Sequence, residues 1–155
     1  MTLARNFLAL AEELSRNDSG RQSIRRRAIS TAYYAIFHRL AQLCVAEFIG
    51  ADPKLRLIAE YEQVYRQLDH GSVKTIFRAA PLSKNPELCE IGEHAGNLQS
   101  ERIRSDYLPS RKGLYTRTDC QNLVAIAKTT IQLIDNLSRE DRRTLAIFLA
   151  FKKRP

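Results

Sequence analysis

Residues 23–49 read SIRRRAISTAYYAIFHRLAQLCVAEFI. From Ala28 to Phe48 this stretch is apolar on nearly every face of a helix, and Gly50 follows as a stop signal. A helix that is apolar all round is buried in the middle of a bundle. The stretch therefore predicts a long central helix, around which the remaining elements pack.

Amphipathic repeats on either side of this stretch predict further helices. One begins after Thr2. An Asp-Pro pair at 52–53 is typical of a helix start, and the helix is predicted to run to about Leu68, with the His-Gly pair at 70–71 as its C-terminal end. A short helix is then predicted over 72–80.

The second half of the chain repeats these signals. An Asn-Pro pair at 85–86 starts a helix that reaches about Ser105, and the basic segment 106–117 is predicted as a loop. A capping-box pattern at 118–121 starts the next helix, and Ser138 caps the last one. No segment shows the period of two that is typical of strands.

These patterns predict an all-α fold, an antiparallel bundle of four to five main helices with additional short helices. The chain of 155 residues fits a single domain over 1–155, with a core over about 23–137 and a C-terminal helix and basic tail over 138–155. No signal peptide or membrane span is predicted. Three widely spaced cysteines indicate neither a disulfide framework nor a metal site, so we expect a cytoplasmic protein without a cofactor.

The net charge of +8 indicates an anionic partner, nucleic acid first and an acidic protein next, although charge can also serve solubility alone. The basic residues form two groups, one early in the central helix and one around the loop after residue 101. If those helices are antiparallel, the groups merge into one surface that suits RNA, because arginine pairs with phosphate and tyrosine stacks on bases. The candidate RNA- or partner-binding residues are Arg25, Arg26, Arg27, Arg102, Arg104, Tyr107, Arg111 and Lys112. The alternative is that Arg102 and Arg104 only complement the helix dipole.

A polar stripe also runs down one face of the central helix. It consists of Arg27, Thr31, Tyr34, His38 and Gln42, which recur at steps of three and four. Such a stripe either faces a water-filled groove, where His38 can contact a phosphate or act as a base, or forms a buried hydrogen-bonded network.

Two stretches resemble the HEPN family of bacterial helical domains. Residues 26–38, RRAISTAYYAIFH, are similar to the SRAYYAxFH-like central helix of that family, and residues 102–107, RIRSDY, are similar to its RxxADY-like element. The resemblance implies a dimeric antiparallel bundle. It also implies an RNA-linked role in stress response, toxin–antitoxin modules or phage defence, or pairing with a co-encoded nucleotidyltransferase.

Catalytic HEPN proteins are metal-independent ribonucleases with an arginine, four to six intervening residues, and a histidine. This chain lacks that spacing at each of its three histidines. The nearest approach is Arg66 and His70, which have only three residues between them. Low-ranking catalytic candidates are His38, His70, Arg66 and Arg104. Three hypotheses follow: a binding module without the usual nuclease activity, a ribonuclease with a displaced site, or a non-catalytic structural or dimerisation subunit.

Overall fold

The computed structural model describes residues 2–152, which form seven α-helices joined by 3-10 turns, without a strand in this range. The predicted all-α helical bundle is confirmed. The helices are α1 Leu3–Ser15, α2 Gln22–Phe48, α3 Ala59–Tyr65, α4 His70–Thr75, α5 Pro86–Tyr107, α6 Arg117–Asn136 and α7 Arg139–Ala150. The 3-10 helices are Pro53–Leu57, Ile76–Arg78 and Leu82–Lys84.

Helix α2 is the centre of the bundle, as its apolar pattern predicts. It packs against α1, α5, α6 and α7, and its residues from Ala28 to Val45 are buried on most faces. Successive positions along α2 contact earlier and earlier positions of α5: Arg26 donates to the Leu108 carbonyl, Ser30 donates to the Asp106 carboxylate at 3.3 Å, and Tyr33 contacts Arg102. The two helices are therefore antiparallel. None of the helices within residues 2–152 is both long and apolar enough to cross a membrane.

The segment after α2 departs from the sequence prediction of one helix over 53–68, which is wrong. Asp52 does cap a helical segment, but this is the 3-10 helix Pro53–Leu57, and Ile58 is extended with φ −86° and ψ 147° before α3 begins. Neither short helix contains a buried residue. Because helices in proteins gain most of their stability from packing, this segment lacks the contacts that hold one continuous helix.

The predicted role of the His-Gly pair at 70–71 as a helix end is also wrong. Asp69 is extended and its side chain accepts a hydrogen bond from the Ser72 backbone N–H at 2.7 Å, so α4 begins at His70. A glycine that ends a helix usually adopts a positive φ, and Gly71 does not.

The start of α6 lies two residues before the predicted position. Thr116 and Asp119 form the capping box, with reciprocal hydrogen bonds of 3.0 and 2.9 Å, and the predicted box at 118–121 is wrong. Helix α5 continues to Tyr107, so the loop is shorter than predicted. Gly113, with φ +71°, provides the turn inside it.

Candidate functional site

The start of α2 and the loop between α5 and α6 are held together by side-chain hydrogen bonds. The Gln22 amide and the Arg25 guanidinium both donate to the Tyr115 carbonyl, at 2.8 and 2.9 Å. The Arg26 guanidinium donates to the Leu108 carbonyl. The two basic groups of the sequence therefore lie side by side at one end of the bundle.

Part of this end remains available to solvent. Tyr107 is 74% exposed, and Arg104 is exposed beside Glu101, with which it forms an ion pair of 3.0 Å. In the described part of the chain, no carboxylate lies within 4.0 Å of the charged groups of Arg27, Arg111 or Lys112. We call this set the basic surface; it consists of Arg27, Arg104, Tyr107, Arg111 and Lys112, all of which are exposed.

The other predicted binding arginines contact protein atoms instead. Arg25 and Arg26 are half-buried and donate to backbone carbonyls, as described above. Arg102 is only 9% exposed, with its guanidinium carbon 5.4 Å from the centroid of the Tyr33 ring and a nitrogen 3.7 Å from the Asp106 carboxylate. These three arginines contact protein groups that hold the end of the bundle together. These residues are less exposed than those of the basic surface.

A second group of chemically active side chains lies further along α2, toward the middle of the helix. We call it the aromatic histidine cluster, and its members are Phe7, Tyr33, Tyr34, Phe37, His38, Tyr65 and His70. His38 stacks on Phe7 with ring centroids 5.0 Å apart and planes 7° from parallel. His70 packs on Phe37 at 4.6 Å. The cluster thereby brings two histidines from different helices onto the same rings.

Each histidine is joined to a tyrosine. The His38 Nδ1 atom and the Tyr65 hydroxyl share a hydrogen bond of 2.6 Å, and the His70 Nδ1 atom and the Tyr33 hydroxyl share one of 2.7 Å. Burial lowers the pKa of both histidines below the ordinary value, and the positive charge of Arg102 lowers that of His70 further. Burial also raises the pKa of Tyr65 to about 12. The lowered pKa values favour the neutral form of both imidazoles at pH 7.

The spacing of the polar stripe of α2 allowed either an open groove or a buried network, and the stripe has features of both. Thr31 is 4% exposed, whereas Arg27 at the start of the stripe is exposed to solvent. Tyr34, His38 and Gln42 are half-buried. The stripe is thus a partly closed network with one charged, open end.

The candidate catalytic residues do not come together as a set. Arg66 and Arg104 are paired with Glu62 and Glu101, and Arg66 is the C-cap residue that follows α3 whereas His70 begins α4. The arginine whose charge acts on His70 is Arg102 from α5. Sequence spacing cannot identify this pair, because the two residues are on different helices.

Among residues 2–152, no group of three or more histidine, cysteine, aspartate or glutamate side chains is arranged to hold a metal ion. The fold and these surfaces define an all-α bundle with a basic end and an aromatic histidine face. Comparisons with protein-family models, with characterised proteins and with solved structures gave no match for this chain. Its function is therefore argued from the geometry.

Proposed function

We propose that this chain is an RNA-binding helical module of the HEPN type, acting in a stress, toxin–antitoxin or phage-defence setting. One observation carries the proposal: exposed cations without carboxylate partners and an exposed tyrosine lie at the end of the bundle where the start of α2 meets the end of α5 and the loop after it. The two stretches that resemble HEPN proteins, 26–38 and 102–107, fall on α2 and on the end of α5, next to this surface.

Binding would rest on phosphate contacts and stacking. Arg27, Arg111 and Lys112 can neutralise phosphates of a single strand while Tyr107 stacks on a base. Each neutralised phosphate releases counterions, so affinity should fall steeply with salt and depend little on base sequence. Arg104 contributes less, because Glu101 already neutralises part of its charge.

A charge-matched pair of variants tests this proposal. In the first, Arg27, Arg111 and Lys112 are replaced by alanine. In the control, alanine replaces the exposed residues Arg78, Lys84 and Arg143, which lie toward the opposite end of α5 or on α7. Titration of single-stranded RNA at several salt concentrations should show weaker binding by the first variant, with a salt slope lower by about 2 for three lost phosphate contacts. The control should bind like the wild type.

Two outcomes would contradict RNA binding at this surface. One is a wild-type protein that shows no binding at low salt, which would point to an acidic protein partner, such as a co-encoded nucleotidyltransferase, or to a structural subunit. The other is an equal loss in both variants, because binding would then depend only on total charge.

A second candidate function is metal-independent RNA cleavage at the aromatic histidine cluster. It is favoured by the contact of both His70 and Arg102 with the Tyr33 ring, at 5.5 and 5.4 Å from its centroid, since these are the two residue types that HEPN ribonucleases use. A neutral imidazole can take the proton of an attacking 2′-hydroxyl and return it to the leaving 5′-oxygen, while an arginine stabilises the phosphate charge. It ranks second because Arg102 is 9% exposed and faces Asp106, so a phosphate reaches it only by displacing that carboxylate.

Cleavage can be tested on RNA in the presence of a metal chelator. We expect a 2′,3′-cyclic phosphate product that is lost in His70→Gln and retained in His94→Gln. His94 is the control because its ring is hydrogen-bonded to Thr130 at 3.0 Å, away from the cluster. Intact RNA after long incubation with the wild type, or equal cleavage by both variants, would rule this activity out.

A further inference from the structure

A cleft lies where the start of α1 and the second half of α2 meet the 3-10 segment that follows α2. Its volume is about 260 Å³. It is separate from the basic surface, none of whose residues contributes to its walls. Its polar walls include Arg5, Arg39, Gln42, Arg56, Tyr61 and Asp135.

The cleft has an excess of arginine. Arg39 and Arg5 share the Asp135 carboxylate, through N–O distances of 2.7 and 3.7 Å. Arg56 has no carboxylate within 4.0 Å among residues 2–152, and the Asp52 side chain is already bonded to the Lys54 backbone N–H. A guanidinium offers five N–H donors, so most donors of the three arginines are free for an anion.

A shelf of aromatic rings adjoins the arginines. Gln42, Arg56 and Tyr61 line both the cleft and a neighbouring hollow of about 350 Å³. This hollow also includes Tyr65 and Glu62, whose carboxylate is paired with Arg66. The Tyr61 and Tyr65 rings lie nearly parallel, with centroids 6.0 Å apart and an angle of 20° between the planes. Because the Tyr65 hydroxyl is bonded to His38, this shelf is held in place before any ligand arrives.

We propose that this cleft binds a phosphate monoester attached to a flat ring system. Planar guanidinium groups match the oxygens of a phosphate. Arg56, together with Arg5 and Arg39, can therefore contact more than one phosphate oxygen. The ring of the ligand stacks against Tyr61, which lies between the arginines and Tyr65. This chemistry is shared by free mononucleotides and by the 5′-phosphorylated end of an RNA strand. The proposal does not depend on RNA binding at the basic surface.

Calorimetric titration with defined probes tests the cleft. We expect the wild type to bind AMP more tightly than adenosine or inorganic phosphate, because only AMP has both the phosphate and the ring. Arg56→Ala and Tyr61→Leu should each weaken AMP binding at least tenfold. Arg78→Ala is the matched control, since Arg78 is exposed, forms no ion pair among the described residues, lines neither hollow and should leave AMP binding unchanged.

A second comparison separates the two sources of the phosphate. A short RNA with a 5′-phosphate that binds several-fold more tightly than its 5′-hydroxyl counterpart, with the difference lost in Arg56→Ala, assigns the cleft to RNA ends. AMP binding without that difference assigns it to free nucleotides. Absence of AMP binding together with equal binding of the two RNAs would overturn the proposal, even if the basic surface still bound RNA. Equal AMP affinity in Arg56→Ala and wild type would also overturn it.

Discussion

The hydrogen bond between His38 and Tyr65 links two parts of the fold that otherwise have few contacts. Helix α3 contains no buried residue, and Tyr65 is its last residue. On the other side, His38 is half-buried on the central helix and stacks on Phe7 of α1. A polar group in the most apolar stretch of the chain thus serves to attach a weakly packed segment.

We expect His38→Ala to lower the free energy of unfolding by about 1–3 kcal/mol, because it removes a stacked ring and leaves the Tyr65 hydroxyl without its partner. Tyr65→Phe removes the hydroxyl alone and should cost about 0.5–1.5 kcal/mol. Urea unfolding of the two variants measures both values. A stability of His38→Ala equal to that of wild type would mean that the ring is only a surface group.

The lowered pKa values of His38 and His70 also predict how stability depends on pH. In the unfolded chain both residues take up protons below about pH 6.5, whereas the folded protein resists protonation until lower pH. Their contribution to stability is therefore fully present above pH 6.5 and is lost as the pH falls through the folded-state pKa values.

Urea midpoints measured from pH 7.5 to 5 should accordingly decrease on acidification, and the decrease should be smaller in a His38→Gln, His70→Gln double variant. A midpoint that rises between pH 7 and 5.5 in the wild type would contradict this assignment.

At the scale of helices, the long and well-buried helices were predicted correctly from the sequence, whereas the poorly buried segments were not. The all-round apolar pattern of α2 and the Asn85 cap of α5 identify long, well-packed helices, because many residues contribute to each signal. The segment from 53 to 75 has few buried residues, so local capping by Asp69 and the extended Ile58 determine its course. The site follows the same division. The stripe of α2 and the meeting of the two basic groups were predicted from the sequence, but the pairing of His38 with Tyr65 and of His70 with Tyr33 was not.

Two glycines on α5 illustrate a packing constraint that spacing cannot reveal. A Cβ atom on Gly92 would lie 2.4 Å from the Phe77 Cβ, whereas one on Gly96 would meet nothing within 4 Å. Gly92→Ala should therefore destabilise the protein by about 1–3 kcal/mol through overpacking. Gly96→Ala should stabilise it by about 0.5–1 kcal/mol, as expected for a helix interior. Thermal unfolding of the two single variants checks the opposite signs, and a loss of stability in Gly96→Ala would refute this account of α5.

At the scale of the whole molecule, large apolar side chains are exposed on two separate faces of the described bundle. Leu3 and Leu10 are 45% and 43% exposed on α1, and Ile103 is 42% exposed on α5 next to Tyr107. Exposed apolar groups on one helix face are typical of a contact with another chain.

We therefore expect a homodimer, since a second copy that covers one of these faces removes apolar area from water without any other partner. Light scattering at micromolar concentration should return twice the monomer mass. Leu10→Glu and Ile103→Glu then identify the face, because a charge inside the interface raises the dissociation constant strongly and a charge outside it has little effect. Each variant thus serves as the control for the other, and a wild-type mass of about 17.7 kDa would show that the exposed faces do not pair copies of this chain.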